Sequence, residues 1–154
     1  MPNEYMNPQH DSAGAWAKRY HLASRQMMES LLRRYDLGVT QWYVLYQLAT
    51  AGPTAQRELV RILGVERATL TGVVAALVRK GFVEQAPDIR DQRQKILTIT
   101  ASGASLWRDL PDPIDHILDV AFADVPEADL DTTVQVLRQA TDRLHQHLSK
   151  GNAQ

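Results

Sequence analysis

The 154-residue chain has no cysteine. That one absence excludes disulfides, thiolate metal sites and thiol-based peroxide sensing together. Aromatic residues are scarce, at 6%, so any place where they gather needs a reason. No apolar run approaches the ~20 residues of a membrane span, and residues 1–10 are polar, without the apolar core of a secretory signal. A cytoplasmic location is the expectation. There is no Gly-rich phosphate loop, no His-Glu-x-x-His and no evident Ser/His/Asp arrangement. Catalysis and a cofactor are therefore not expected. Net charge is also nearly absent, at −1, which taken as a total argues against a nucleic-acid partner.

The distribution of that charge argues the other way. Between residues 57 and 95, eight basic residues stand against five acidic ones, a local +3. From 101 to 154, four stand against nine, a local −5. Uneven charge bears on binding, not on fold. The 44% apolar and 23% charged content is ordinary for a soluble globular chain, and the length suffices for one domain with a core.

Punctuation along the chain gives the elements. Asp11 or Ser12 can cap a first helix reaching Tyr35, with Trp16, Tyr20, Ala23, Met27 and Leu31 on one stripe. Asp36-Leu37-Gly38 ends it. Thr40 is placed to cap a helix through Ala51, with Val44, Leu45 and Leu48 inward. Gly52-Pro53 is a strong stop, and Thr54 is placed to cap a third helix burying Leu59, Ile62 and Leu63. A turn at Gly64 leads to a helix over 67–80 that buries Leu70, Val73, Val74 and Leu77, and Gly81 closes it. Residues 82–85 read as a strand, 86–94 as a turn and 95–99 as the returning strand. Thr100 caps a further helix, in which Pro111 and Pro113 predict a kink or break near Asp112. Pro126 suits the first turn of a last helix bearing Leu130, Leu137, Leu144 and Leu148.

Helix, turn, helix and two-stranded wing is the order of a winged helix-turn-helix. The expected fold is mainly α with a small two-stranded β wing, in one domain: residues 37–100 form the DNA-binding lobe, and 11–36 and 101–150 form helical dimerisation regions. The outward face of the second helix carries Arg67, Ala68, Thr71, Gly72 and Ala75. Small residues let the helix axis approach base edges; Arg67 can reach guanine or phosphate, and Thr71 a base edge or a thymine methyl. The competing explanation is a small-residue helix packed on another helix. Thr54, Gln56, Thr69 and Arg79 complete the expected contacts on this lobe. In the turn Asp88-Ile89-Arg90-Asp91-Gln92-Arg93, Arg93 is placed at the wing tip, facing a minor groove, and Arg90 at phosphate. Asp88 and Asp91 are wing supports, with Asp91 holding an arginine extended.

Residues 37–103 resemble the MarR (multiple antibiotic resistance regulator) family. The matching pieces are Leu37-Gly38-Val39-Thr40-Gln41-Trp42, Leu59-Val60-Arg61-Ile62-Leu63-Gly64-Val65, Ala68-Thr69-Leu70-Thr71, Leu77-Val78-Arg79-Lys80-Gly81-Phe82-Val83, the Asp-x-Arg-Asp-x-Arg wing, and Leu97-Thr98-Ile99-Thr100-Ala101-Ser102-Gly103. No piece is specific alone; their order and spacing are. One departure is Glu66, where the family often has a small hydroxyl cap. The resemblance implies a homodimer joined through its terminal helices, a near-palindromic double-stranded DNA operator, and repression relieved by a small aromatic effector. The alternative function is a winged-helix protein-interaction module that binds no DNA, for which the reading face would lack positive charge.

The apolar stripes of the helices at 11–35, 100–121 and 126–150 exceed what one lobe can cover. A dimer seam is expected at Leu110, Ile114, Ile117, Leu137 and Leu144. Tyr20, His21, Trp42 and Tyr46 are the candidate effector pocket, with Lys18, Arg19 or Arg25 available to a carboxylate; the same aromatics would serve equally as core. No metal site is expected: His145 and His147 fall on different helix faces, and Pro113 disturbs the face shared by Asp112, His116 and Asp119.

Overall fold

The computed structural model describes residues 11–152. Its elements are α1 (Ala13–Leu32), a 3-10 turn (Arg33–Tyr35), α2 (Val39–Ala51), β1 (Thr54–Ala55), α3 (Gln56–Leu63), α4 (Arg67–Arg79), β2 (Val83–Pro87), β3 (Lys95–Ile99), α5 (Ala101–Asp109), α6 (Pro113–Ala121) and α7 (Glu127–Gly151). The chain divides after Ile117 into two compact units.

In the first unit the core gathers where the lobe's helices meet the sheet. Trp42, Val44, Leu45 and Leu48 of α2, Leu59 of α3, Leu70, Val74 and Leu77 of α4, and Val83 and Leu97 of the strands are all buried. From α1 only Met28 and Leu32 join them, while Trp16 and Tyr20 at its other end stay exposed. Ser12 Oγ caps α1 by accepting from the Ala15 amide at 3.2 Å. Asp36 then turns the chain in the left-handed region at φ 54°. Lys80 Nζ, at the end of α4, donates to the Asp36 carbonyl and to Gln41 Oε1, and so ties α4 to this elbow.

Three local expectations are corrected. The cap of α2 is Gly38, not Thr40: its amide donates to Gln41 Oε1 at 3.1 Å, and Thr40 lies inside the helix. Thr54 does not cap α3. Its hydroxyl donates to the Gly52 carbonyl at 2.9 Å, and Thr54 and Ala55 form β1, paired antiparallel with Leu97 and Ile96 of β3. The sheet therefore has three strands in the order β1-β3-β2, where the sequence predicted two. Ile62 is 42% exposed instead of buried, because α3 turns only Leu59 fully inward.

The end of α4 follows the Schellman pattern. Gly81, at φ 79°, donates to the Val78 carbonyl, and Phe82 donates to the Leu77 carbonyl. β2 runs two residues further than expected, to Pro87, and pairs with β3 from Val83↔Ile99 to Pro87↔Lys95. Thr100 caps α5 by accepting from the Gly103 amide at 3.0 Å, and its hydroxyl donates to the Gly81 carbonyl at 2.6 Å. Gly103 is buried against the α4–β2 junction; a Cβ there would stand 2.2 Å from the Phe82 carbonyl oxygen. The expected break near Asp112 is present, and Asp112 Oδ1 caps α6 by accepting from the Ile114 and Asp115 amides. In the second unit α7 runs for 25 residues and buries none of them.

Candidate nucleic-acid interface

The face of α4 opposite Leu70, Val74 and Leu77 is exposed along its length. Ala68, Gly72, Ala75 and Arg79 lie on it, and Arg67, Thr69 and Thr71 flank it; all seven are exposed. A Cβ built at Gly72 meets nothing within 4 Å. That decides between the two explanations for the small residues: no second helix of this unit packs there, and the axis is open to close approach. Glu66 stands at the N-cap and makes no side-chain cap bond, so the helix begins with free backbone N–H groups.

Beside this face a cleft of about 420 Å³ opens between α3, α4 and the wing. Arg57, Arg67, Arg93 and Lys95 line it, against one carboxylate, Asp91. Arg93 is thus a wall of the cleft, not the free tip expected from the sequence. The outer end of the turn is marked by Ile89, which is fully exposed, with Arg90 next to it. Asp88 and Asp91 support the wing differently from the expectation. Asp88 Oδ1 accepts from the Arg90 amide at 3.0 Å, and Asp91 Oδ1 accepts from the Arg93 amide at 3.1 Å. The aspartates fix turn backbone; they do not hold a guanidinium.

Two ties that the sequence does not announce bind the wing to α3. Gln85 on β2 donates to Gln56 Oε1 at 2.7 Å, and Gln56 Nε2 reaches Thr71 Oγ1 at 3.5 Å. Gln94, with its amide oxygen turned toward α3, accepts from both terminal nitrogens of Arg57 at 2.6 and 2.9 Å. Outward-facing glutamines on a strand carry no signature of a partner on another element, so only the fold reveals them. Nearby, a hydrogen bond from Arg61 holds the Glu58 carboxyl below its usual range and raises the Arg61 guanidinium in turn. Arg61 is exposed and Glu58 partly so, and the pair belongs to the surface of α3.

Of the candidate effector residues, Trp42 and Tyr46 come together and stack at 5.4 Å. Tyr43 and Trp107 complete the cluster; Trp107 lies 5.4 Å from Trp42 and was not anticipated. Trp42 is buried, and its indole N–H has no hydrogen-bond partner, a costly state for a buried donor. Tyr20 and His21 are exposed on α1. Arg19 stacks over Trp16, and Arg25 pairs with Glu29 at 3.4 Å, so neither stands ready for a ligand carboxylate.

The expected dimer seam divides. Ile117 is buried in the core, with Leu110 and Ile114 packed against it, whereas Leu137 and Leu144 are open, at 41% and 66% exposure. Among the described residues no group of three His, Asp or Glu side chains is disposed to hold a metal ion, and no helix is long and apolar enough to cross a membrane.

Residues 35–94 match the model of the MarR family. That segment of the chain is similar to the MarR family. A MarR-type relative spanning most of the chain is the uncharacterised helix-turn-helix transcriptional regulator YwaE of Bacillus subtilis, 27% identical over 94% of this chain and 85% of its own length. The chain spans less than half the length of two further curated regulators that it matches at 38% identity. Among solved MarR-like folds, Bordetella bronchiseptica BpsR superposes with a TM-score of 0.75 at 21% identity, covering 86% of this chain and 94% of BpsR; its DNA binding is regulated by 6-hydroxynicotinic acid. A cysteine-to-serine mutant of Escherichia coli MarR, solved with operator DNA, also gives 0.75 at 21% identity over 82% and 91% of the two chains. The segment matched by the MarR model includes the open face of α4 and every residue lining the cationic cleft except Lys95.

Proposed function

We propose that this protein is a sequence-specific, double-stranded DNA-binding transcriptional regulator that acts without catalysis. One observation carries the reading: four cations line a cleft directly beside a helix face stripped to small side chains. Cations neutralise phosphate and supply affinity, and the small face lets α4 enter a major groove. A protein-docking module would have no use for that local charge. On this reading α4 reads bases, Arg93 and Lys95 meet the backbone flanking it, and Arg90 at the end of the wing reaches the adjacent minor groove.

The working unit is a homodimer. α7 leaves Val134, Leu137, Leu144 and Leu148 exposed, and a second copy is the partner whose matching face would cover them. Two-fold symmetry then places the reading helices one helical turn apart, ~34–36 Å or ~10 bp between half-site centres. The proposed mode is repression by occupancy, released by a small aromatic acid or phenol beside Trp42 and Tyr46. The unpaired Trp42 indole N–H supports a ligand that brings an acceptor, and ~1–3 kcal/mol of coupling would suffice to weaken DNA binding.

The test is fluorescence anisotropy with duplexes from the promoter region of the protein's own gene. Saturable binding that resists nonspecific competitor, with a footprint of two inverted half-sites, is the expected result. Binding that competitor DNA removes completely overturns the reading. Salicylate and hydroxynicotinate, followed by tryptophan quenching in wild type and Trp42→Phe, test the effector. Absence of both quenching and DNA release assigns the aromatic cluster to the core.

A further inference from the structure

Thr71 is exposed on α4 and lines the cleft, and a threonine there can meet a base through either of two groups. Its hydroxyl can hydrogen-bond a base edge, or its methyl can pack on the C5-methyl of thymine. The structure removes the hydroxyl's donor role and leaves the methyl. Thr71 Oγ1 donates to the Arg67 carbonyl at 2.9 Å. A hydroxyl has one proton and a carbonyl can only accept, so that proton is committed within the helix. The remaining acceptor capacity of the oxygen faces the side-chain amide of Gln56 at 3.5 Å. Gln56 is itself held from the other side by Gln85, which donates to its Oε1 at 2.7 Å.

Back-bonding to the carbonyl four residues earlier is the habit of helical threonines here; Thr50, Thr132, Thr133 and Thr141 do the same. Thr71 adds the amide of a neighbouring helix, so its hydroxyl is engaged from both directions. What the side chain retains for an incoming duplex is its methyl and one acceptor lone pair, with no proton left to donate. Thr71 is itself exposed and lines the open cleft, so an incoming base edge has access to its side chain.

We propose that Thr71 is a methyl reader: it recognises the C5-methyl of a thymine in the major groove, with its hydroxyl turned inward as an anchor. The proposal rests on the DNA-binding reading above and deepens it. It also excludes a role for Thr71 as a hydrogen-bond donor to bases.

The experiment uses the full-length protein and the duplex it enriches from a random double-stranded library. Each thymine in the enriched site is replaced in turn by deoxyuridine, which removes only the methyl. Affinity is measured with wild type, Thr71→Val and Thr71→Ser. Val keeps a methyl and removes the hydroxyl; Ser does the reverse. The expected result is one thymine per half-site whose replacement weakens wild type about fourfold, the effect of one buried methyl group. Thr71→Val should bind within about twofold of wild type and show the same sensitivity. Thr71→Ser should lose about fourfold on the thymine site and nothing further on the deoxyuridine site, the non-additivity expected of two groups in contact. Loss of binding in Thr71→Val with retention in Thr71→Ser makes the hydroxyl the reader and overturns the proposal. So does a site in which no thymine distinguishes Ser from wild type. If the library yields no enriched duplex at all, the DNA-binding reading itself falls, a failure distinct from either of these.

Discussion

α4 and α7 are both amphipathic helices, and they deal with their apolar faces in opposite ways. α4 is 13 residues long and buries Leu70, Val74 and Leu77 almost completely. α7 is 25 residues long and buries nothing; Leu144 and Leu148 are 66% and 63% exposed. Helices in water owe most of their stability to tertiary packing of the apolar face. α4 finds that packing inside its own chain, which frees its other face for a ligand. α7 finds no such packing within its own unit; on the proposed reading a second copy covers it. Sequence periodicity is the same in the two cases, so the pattern of leucines tells that a face will be covered but not by what.

The largest expected effect tests the α4 side of this contrast. Leu77→Ala should lower the unfolding free energy by ~2–5 kcal/mol, because it empties a fully packed site; denaturant titration reads it, and a loss near zero would mean the lobe repacks. The matching attack on α7 is Leu137→Asp with Leu144→Asp. This variant should weaken self-association by more than about thirtyfold, the loss expected when interface anchors are removed, while the lobe keeps its helical circular dichroism. Sedimentation indistinguishable from wild type would place the proposed seam elsewhere.

Two glycines sharpen the contrast at smaller amplitude. Gly103→Ala drives a methyl into the Phe82 carbonyl oxygen and should cost ~1–3 kcal/mol of stability. Gly72→Ala, on the open face of α4, should raise helix stability by ~0.5–1 kcal/mol and still weaken DNA binding by holding the axis away. Melting and binding curves that move together at Gly72 would contradict an open reading face. Smaller again is a charge comparison. Arg93→Ala should flatten the dependence of log K on log salt by about 1, as for one lost phosphate contact, whereas Arg138→Ala on α7 should leave the slope alone.

The smallest effect belongs to the Glu58–Arg61 pair. Hydrogen bonding from Arg61 depresses the Glu58 carboxyl below 4.5. Its contribution is therefore complete above that pH and disappears as the pH falls through the depressed value. Both side chains reach solvent, and such surface pairs are screened. Glu58→Gln should leave the melting temperature unchanged between pH 7 and the onset of acid unfolding; a clear drop would mean the pair is shielded by something bound to α3.

Most of the lobe was legible because its signals are local. The glycine at the end of α4, the threonine before α5 and the proline pair near Asp112 act through their own backbone geometry, and each lies where the sequence put it. β1 was not legible. Two residues cannot show alternation, and their partner strand lies far along the chain; the Thr54 hydroxyl does bond locally, but backward to Gly52 rather than forward into α3. The candidate site divides along the same line. The exposed residues of α4 follow from helical periodicity alone. The turning of Arg93 into the cleft, the Gln85–Gln56 tie and the arrival of Trp107 beside Trp42 depend on how separate elements meet.

The two residues of β1 also set a phase. Thr54 and Ala55 pair with β3 and run without a break into α3, so the hairpin is welded at its root to the helices that carry α4. The spacing along a duplex between what α4 meets and what the hairpin meets is then a constant of the protein, like the distance between two teeth of one gear. A site with one base pair more or fewer between those contacts cannot be matched by flexing the wing; the DNA would have to bend or twist to fit. Insertions inside a half-site should accordingly be tolerated poorly.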